Sequence, residues 1–468
     1  MTLRIRAVLA ALIVIVVAAS GALFIAHRTA AVRQQGLIVA TTGDVRDLFD
    51  PVDSSSPQLA GLAMRKLEES YYKTVDPQTI VAGEQASLRE YLHAKKVLNV
   101  TLPSDNASGD PSRDADLAMS QVAYAQQHYA ERLGNAGRSD ISDAALRGIM
   151  GSLKDPYTVY LSPREYQGLH ESLSGGNFGG IGVYIYQLKD GRIVVQPIEQ
   201  MPAARSGMKP GEVVDTVGDK SVRGLTLDRV EAMIRGEPGT TVDMTTHPFK
   251  GGGSERKYSI VREIIHVPSV RAKMEDGIDY IRLADFGETS GDEVRAALLD
   301  GHTKGAKGYI LDLRDNGGGL LETAVQISSL FVPQGTIVST IRRDGERTTS
   351  EALGTAIGGL QPLVILVNKY TASASEITAG ALQDYHLATL IGTKTFGKGV
   401  VQSIFPMPDQ GALKITTARY VTPLGRDIQH RGIDPDIVVN QDVDPALIDT
   451  PADKQLAEAK VRLRAHSQ

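Results

Sequence analysis

The chain has 468 residues, of which 42% are hydrophobic and 22% are charged, and it is long enough for about three globular domains. A net charge of -5 and a pI near 6.1 argue against nucleic acid as the main partner, because a phosphate-binding surface needs an excess of basic residues. The absence of cysteine excludes disulfides, thiolate catalysis, cysteine-ligated zinc and a lipid-anchored cysteine.

The chain begins with a short basic stub, residues 1–6, followed by the uncharged apolar segment 7–26. A helix of this length spans about 30 Å of hydrocarbon, so the segment predicts a membrane anchor whose basic end stays in the cytoplasm. The alternative is a signal peptide cleaved at the small residues 20–22, which would release a soluble secreted form. Both interpretations place the rest of the chain outside the cytoplasm, on the periplasmic or cell-surface side.

Two regions of different periodicity follow a polar linker at residues 27–56. Residues 57–172 carry apolar side chains at three- and four-residue steps, which predicts a helical N-terminal region with a loop at 103–114. Residues 173–268 alternate in short β-rich runs around a turn at 190–191, which predicts a β domain with two short helices.

Residues 269–440 mix strand and helix patterns and predict an α/β core. The apolar runs 308–315 and 362–369 are typical of buried strands, and each leads into a turn of small residues and then a helical pattern. A strand, a tight turn and a helix expose a helix N-terminus at the carboxyl edge of a sheet, where α/β enzymes bind ligands. The polar tail, residues 441–468, predicts a surface helix.

The segment GTKTFGKGV, residues 392–400, resembles a phosphate-binding P-loop. However, Gly399 stands where a P-loop has the Ser or Thr that holds magnesium, and residues 400–405 continue as a strand pattern with no helix. We therefore interpret the glycines as a tight turn that enters a strand. A two-residue period would then place Lys398 and Gln402 on one face, close enough to hydrogen-bond.

Ser373 lies where a helix rich in small residues begins, in the segment YTASASEITAG. Ser373 and Glu376 fit a capping box, so a structural N-cap is one interpretation. The other is a nucleophile, because the positive end of a helix dipole stabilises a developing oxyanion. The turn LRDNGGGLL, at the end of a predicted strand, would supply a second backbone donor from residues 317–319, although a plain strand-to-helix turn or a phosphate-binding turn fits the same glycines.

A nucleophilic serine needs a base, and the sequence offers few. The chain has no histidine at a recognisable catalytic spacing, no G-x-S-x-G elbow and no H-E-x-x-H zinc motif. Lysine is the remaining candidate, since burial lowers the pKa of an amine towards neutrality. A neutral Lys398, hydrogen-bonded by Gln402, would accept the Ser373 proton as in other Ser-Lys dyads.

Five segments of the chain together resemble the carboxyl-terminal processing peptidases, or tail-specific proteases, of the S41 serine peptidase family. The resemblance extends over residues 153–439 and is carried by GGIGVYI, LDLRDNGGGLL, VNKYTASASEITAGAL, GTKTFGKGVVQSI and ITTARYVTPLGRDIQHRGIDPDIVV. It implies a serine endopeptidase with an α/β catalytic core of the ClpP/crotonase-like type at 269–440. No metal, nucleotide or other cofactor is implied.

The resemblance also assigns roles to single residues. Ser373 would be the nucleophile, Lys398 the general base, and Gln402 the support of that base. The oxyanion donors implied are Ala374 together with Gly318 or Gly319.

The same resemblance makes residues 173–268 a PDZ domain. Successive backbone N–H groups in GGIGV would form a nest for a C-terminal carboxylate, and the strand that follows would pair with an extended peptide. The predicted partners are therefore proteins or peptides with free apolar C-termini. The tail-binding residues implied are Gly179, Gly180, Ile181, Gly182 and Val183.

One departure from the family is an extra helical stretch at 57–115, which fits a dimerisation arm, an adaptor site or a spacer from the membrane. The sequence thus predicts an exported, mixed α+β and α/β multidomain enzyme with a membrane helix, a helical region, a PDZ-like domain and an α/β core. Two other functions stay open: a catalytically silent PDZ scaffold, and an acyl-transfer enzyme of the coenzyme-A type whose glycine turns hold oxyanion and phosphate.

Overall fold

The protein is described by a computed structural model that covers residues 53–103, 105–174, 178–188, 190–249, 254–360, 362–440 and 448–466. The predicted membrane segment 7–26 and most of the linker 27–56 lie outside these ranges. Within the described residues, no helix is both long enough and apolar enough to cross a bilayer.

Helices dominate the N-terminal region. Asp76 and Asp110 each precede a proline and accept hydrogen bonds from backbone N–H groups of the first turn, so two of the helices have a side-chain N-cap followed by proline. The apolar faces of the first four helices form one core, in which Leu59, Leu67 and Leu88 are fully buried. In chain order the elements are α1 (Gln58–Ser70), α2 (Pro77–Ala94), α3 (Pro111–Leu133), α4 (Gly137–Gly151), β1 (Val159–Leu161) and α5 (Pro163–Leu173).

A β-rich domain with its own apolar core follows. Its main sheet has the order β3-β4-β5-β7-β8 with antiparallel neighbours, while β6 pairs with β5, and β2 pairs separately with β9. The predicted hairpin is present: β3 and β4 flank the turn at residues 190–191, where Gly191 has a φ of +85°. The elements are β2 (Phe178–Gly180), β3 (Val183–Gln187), β4 (Ile193–Pro197), α6 (Pro202–Arg205), β5 (Glu212–Val217), β6 (Lys220–Ser221), α7 (Leu227–Ile234), β7 (Thr241–Pro248), β8 (Arg256–Val261) and β9 (Glu263–Ile265).

The C-terminal region contains two further sheets. One has six strands in the order β10-β11-β12-β15-β16-β19, parallel from β11 onwards, and the other has β18 paired with β1, β13 and β17, and β14 beyond β13. The elements are β10 (Val270–Glu275), β11 (Ile278–Leu283), α8 (Ser290–Thr303), β12 (Gly308–Asp312), α9 (Leu321–Ser329), β13 (Thr336–Ile341), β14 (Arg347–Glu351), β15 (Leu363–Val367), α10 (Ala374–Asp384), β16 (Thr389–Gly392), β17 (Val400–Pro406), β18 (Ala412–Val421), β19 (Ile437–Val438) and α11 (Lys454–His466).

The six-stranded sheet is covered on both faces, which explains its apolar strands. Every residue of β12 and β15 is buried, because alternate side chains face α8 to α10 on one side and α11 on the other. Helix α11 therefore buries one face on the sheet through Leu456, Ala459 and Leu463, where the sequence predicted only a surface helix.

Strand β1 connects the helical region to the core, although residues 57–172 were predicted to be helical. It pairs antiparallel with β18, with Val159 opposite Lys414. Residues of β18 such as Leu413 and Ile415 also belong to the apolar core of the N-terminal helices. The partners are about 250 residues apart in the chain, so local periodicity does not reveal this pairing.

A buried ion-pair network fastens the C-terminal segment to β12. Arg314 is 2% exposed, and its guanidinium donates to both carboxylate oxygens of Asp312 and of Asp453 and to Gln455 Oε1. Both carboxylates are fully buried, so the guanidinium compensates two charges that have no contact with water.

Arg314→Ala should therefore lower the free energy of unfolding by about 3–5 kcal/mol, because two carboxylates would stay buried without a countercharge. Urea denaturation followed by circular dichroism measures this. Arg464→Ala is the matched control, since the Arg464–Asp276 pair joins α11 to the core at the exposed surface and should contribute little. Equal effects of the two substitutions would contradict the prediction.

Candidate active site

Two turns meet at the carboxyl ends of β12 and β15. These strands are parallel neighbours, so the turns that follow them lie at the same edge of the sheet. The carbonyl oxygen of Asn316 in the first turn accepts hydrogen bonds from Ala372 N and Ser375 Oγ in the second, both at 3.0 Å. The predicted glycine turn and the predicted serine turn therefore form one hydrogen-bonded unit.

Ser373 precedes α10 in a strained backbone conformation, with φ +58° and ψ −118°. A residue other than glycine in this region of φ and ψ costs of order 1–3 kcal/mol, and such strain concentrates at active sites. The carboxylate of Glu376 accepts a hydrogen bond from Ser373 N at 3.0 Å, as the capping-box interpretation predicted. Ser373 is only partly buried, so its hydroxyl lies at the mouth of the helix rather than in the core.

The glycine turn approaches Ser373 more closely than any larger residue would allow. A Cβ atom on Gly318 would lie 2.8 Å from Ala374 N and 2.9 Å from Ser373 Cβ, and one on Gly319 would lie 2.4 Å from Phe286 O. The φ angles at the two positions, +99° and +151°, are positive and therefore also favour glycine. The two glycines are therefore needed for backbone N–H groups to converge beside the serine.

The backbone N–H groups near Ser373 differ in whether they already have a hydrogen-bond acceptor. Gly318 N donates to the side chain of Asn316 at 2.8 Å. Among the described residues, the N–H groups of Gly319 and Ala374 have no acceptor. Between the two glycines that the sequence left open, Gly319 is the one whose N–H is free to bind an oxyanion.

Lys398 is partly buried, with its Nζ atom 4.6 Å from the centre of the Tyr157 ring. Burial lowers the pKa of this lysine to about 8, and the nearby positive charge of Lys414 acts in the same direction. The carboxylates of Asp155 and Glu376 raise it, but by less. At pH 7 about a tenth of the amine is thus neutral and able to act as a base.

Glu376 and Tyr420 each form hydrogen bonds to both the serine turn and the lysine turn. The Glu376 carboxylate accepts from Ser373 N and also from Lys398 N at 2.9 Å and Gly397 N at 2.8 Å. The Tyr420 hydroxyl lies 2.7 Å from Lys398 O and 3.1 Å from Ser373 O. Both residues are buried, so the relative position of the two turns depends on groups screened from water.

The predicted hydrogen bond between Lys398 and Gln402 is wrong. Strand β17 begins at Val400, and a register shift between Val401 and Gln402 interrupts the two-residue period on which the prediction relied. The Gln402 amide donates instead to Thr416 Oγ1 at 3.4 Å, and the described residues show no hydrogen bond between Gln402 and Lys398.

One cavity of about 260 Å³ nevertheless brings the predicted residues together. The candidate nucleophile, base, supporting glutamine and oxyanion donors all line it, together with apolar side chains. Four further polar side chains belong to the same lining and were not identified from the sequence: Ser172, Asp285, Lys414 and Tyr420. The polar and glycine residues of the wall are Asp285, Ser172, Gly287, Gly317, Gly318, Gly319, Ser373, Lys398, Gln402, Lys414 and Tyr420.

Two neighbours with similar chemistry do not take part. Ser375 is fully buried and its hydroxyl is bonded to Asn316 O. Lys394 is exposed and forms an ion pair with Asp434 at 3.1 Å.

Several known proteins are similar to this chain. A sequence profile of Peptidase family S41 matches residues 277–439. The carboxy-terminal-processing protease of Bartonella bacilliformis is 40% identical over 304 residues, which cover 64% of this chain and 69% of that protein. A probable CtpA-like serine protease of Staphylococcus haemolyticus is 36% identical over 353 residues, covering 73% and 69%. The solved photosystem II D1 C-terminal processing protease is 28% identical and aligns over 83% of this chain and 94% of its own, with a TM-score of 0.45.

The chain is therefore a serine-type peptidase with a mixed α/β, multidomain fold. Within that class it belongs to the carboxy-terminal-processing proteases of peptidase family S41, as its sequence motifs had indicated. Proteins or peptides are accordingly its class of substrate.

Proposed function

We propose that the protein is an exported endopeptidase in which Ser373 is the nucleophile and neutral Lys398 is the general base. The observation that carries this proposal is the shared cavity, in which a strained serine at a helix N-terminus and a lysine with a lowered pKa lie beside two free backbone N–H groups. The catalytic core, residues 269–440, would be of the ClpP/crotonase-like type.

A residue can then be assigned to each step of peptide hydrolysis. Lys398 Nζ takes the proton of Ser373 Oγ as the oxygen attacks the scissile carbonyl, and the N–H groups of Ala374 and Gly319 bind the oxyanion. The lysine ammonium gives its proton to the leaving amine, which leaves an ester on Ser373. A water deprotonated by Lys398 attacks this ester, and Ser373 recovers its proton as the new carboxyl end departs. Gln402 would orient the substrate or the water from the cavity wall.

The middle domain, residues 173–268, would be a PDZ domain that binds the substrate tail. Strand β3 lies at the edge of its sheet, so one side is open to pair with an extended peptide, and α7 packs beside it. Within the described residues the N–H groups of Ile181 and Gly182 have no acceptor, so they are available to a carboxylate. Gly182 adopts φ +71°, which bends the chain into the loop.

The localisation proposal depends on sequence alone. Residues 7–26 would anchor the protein in the cytoplasmic membrane and leave the folded domains on the outer side, with release of a soluble form if residues 1–22 are cleaved. The helices within 57–115 would then act as a spacer, an adaptor site or a dimerisation arm.

The test uses the full-length chain and a loosely folded protein substrate with an apolar C-terminal tail, in free-acid and amidated forms. Cleavage, followed by mass spectrometry, should be about tenfold faster or more for the free acid, because an amide cannot take both hydrogen bonds of a carboxylate nest. A fluorophosphonate probe should label Ser373 in the same preparation.

Ser375→Ala is the matched control for the probe, and labelling should persist in it. Labelling at a serine other than Ser373 would refute the catalytic proposal. Equal cleavage of the acid and the amide would refute tail recognition and leave the catalytic proposal standing. Tail binding without cleavage or labelling would favour the scaffold.

A further inference from the structure

A second lysine lies in the wall of the catalytic cavity, on a neighbouring strand. Lys414 of β18 is opposite Ile404 of β17, and two residues further along Thr416 is opposite Gln402. Because alternate residues of paired strands share one face of a sheet, Lys414 projects on the same side as Gln402. The cavity lining confirms this orientation, since it includes both lysines and Gln402.

The ammonium group of Lys414 has no counterion among the residues that the structure describes. Within the described part of the chain it makes no ion pair and no hydrogen bond, although the side chain is partly buried. An amine removed from water without a partner destabilises the fold. Burial accordingly lowers the pKa of Lys414, so a lysine at this position indicates a role other than stabilising the fold.

The groups that face Lys398 act in opposite directions on its charge. The ring of Tyr157 lies 4.6 Å from its Nζ and favours the cation, as do the carboxylates of Asp155 and Glu376. A third carboxylate, Asp285, lines the same cavity. Among the described residues Lys414 alone opposes this set, together with burial, so the base would be held protonated if neither acted.

We propose that Lys414 is a positioning residue whose positive charge lowers the proton affinity of Lys398 inside the catalytic cavity, and so raises the fraction of Lys398 that is a neutral base. The proposal rests on the proposed role of Lys398 as the general base. A neighbouring cation is an established way of activating an amine, because two positive charges in one poorly hydrated space repel each other.

The test measures the rate at which a fluorophosphonate labels Ser373 in the full-length chain between pH 5 and 10. Lys414→Met removes the charge and keeps a side chain of similar length, whereas Lys414→Arg keeps a charge at every pH used. We expect Lys414→Met to move the midpoint of the acid limb upwards by about half a unit to one unit, which is roughly three- to tenfold slower labelling at pH 7. The rate at the high-pH plateau should be unchanged.

Two control variants are needed to interpret the result for Lys414→Met. Lys414→Arg should keep the wild-type midpoint, and Lys394→Met, which removes an exposed lysine of the same region, should keep it as well. An unmoved midpoint in Lys414→Met, or an equal shift in the methionine and arginine variants, would overturn the proposal. Equal labelling of Lys398→Ala and wild type would instead overturn the proposed base, so the two failures are distinguishable.

Stability supplies an independent readout. If Lys414 served the fold, Lys414→Met would melt at a lower temperature and lose activity equally at every pH. The proposed role requires the opposite, because replacing an unpaired amine by an apolar side chain in a partly buried place should preserve or raise the melting temperature. Lys414→Gln is the second neutral variant and must show the same upward shift of the acid limb.

Discussion

Replacing Lys398 by alanine should lower kcat for peptide hydrolysis by about 1,000-fold or more, as removal of the general base does in other serine peptidases. The substrate should still bind, because the proposed tail site and most of the cavity wall are untouched, so KM should change little. Steady-state kinetics on a tailed peptide measure both constants. Lys394→Ala should keep wild-type values, since Lys394 is exposed and paired with Asp434.

The pH profile of the wild type is a second test of Lys398 as the general base. Because burial lowers the pKa of Lys398 to about 8, kcat/KM should rise about tenfold per pH unit below that value and level off above it. Protonation removes the base, so activity is lost as the pH falls. A limb with a midpoint near 6.5, still present in Lys398→Ala, would point to a histidine and contradict the dyad.

The sequence was informative where the residues of the candidate site also determine the local backbone structure. The runs that became β12 and β15 are apolar because both faces of the sheet are covered, and the turns after them contain the glycines and small residues that a close approach requires. The turns that carry Ser373 and Lys398 were therefore predictable from short segments. The strain at Ser373 was not, because it arises from hydrogen bonds between two turns about 55 residues apart.

The sequence failed where the arrangement depends on distant partners. The bulge at Gln402 has no local signal strong enough to shift a two-residue period, so the predicted bond to Lys398 was wrong. Lys414 and Tyr420 reach the cavity only because β18 pairs with β17, and the segment ITTARY gave no indication that its tyrosine faces the two turns. Glu376 fitted a local capping box, which concealed its bonds to the lysine turn.

Glu376→Gln should lower kcat/KM by about 100-fold and the free energy of unfolding by about 2–4 kcal/mol. The two carboxylate oxygens accept four hydrogen bonds, from Ser373 N, Lys398 N, Gly397 N and Thr395 Oγ1. A glutamine has one acceptor oxygen, so its amide NH2 would face two donors in a fully buried place. The proposed nucleophile and the proposed base would lose the carboxylate to which both turns are hydrogen-bonded. Kinetics and urea denaturation measure the two effects.

Glu322→Gln is the matched control. Glu322 is also an acid in the first turn of a helix beside the glycine turn, and burial raises its pKa to about 7. No other group among the described residues donates to it, so glutamine should cost little there. Wild-type rates in both Glu376→Gln and Glu322→Gln would show that Glu376 does not contribute to the function of the site.

The pH profile of Glu376→Gln separates the two ways in which this carboxylate could act. Its negative charge raises the pKa of Lys398, so loss of the charge alone would move the acid limb to lower pH and increase the rate at neutral pH. Loss of these shared hydrogen bonds lowers the plateau at every pH, because serine and lysine no longer keep their relative position. We expect the second effect to dominate, since four hydrogen bonds are broken or weakened while Lys398 keeps Asp155 as a second carboxylate. A faster enzyme at pH 7 would show that Glu376 acts on the lysine through charge and not through geometry.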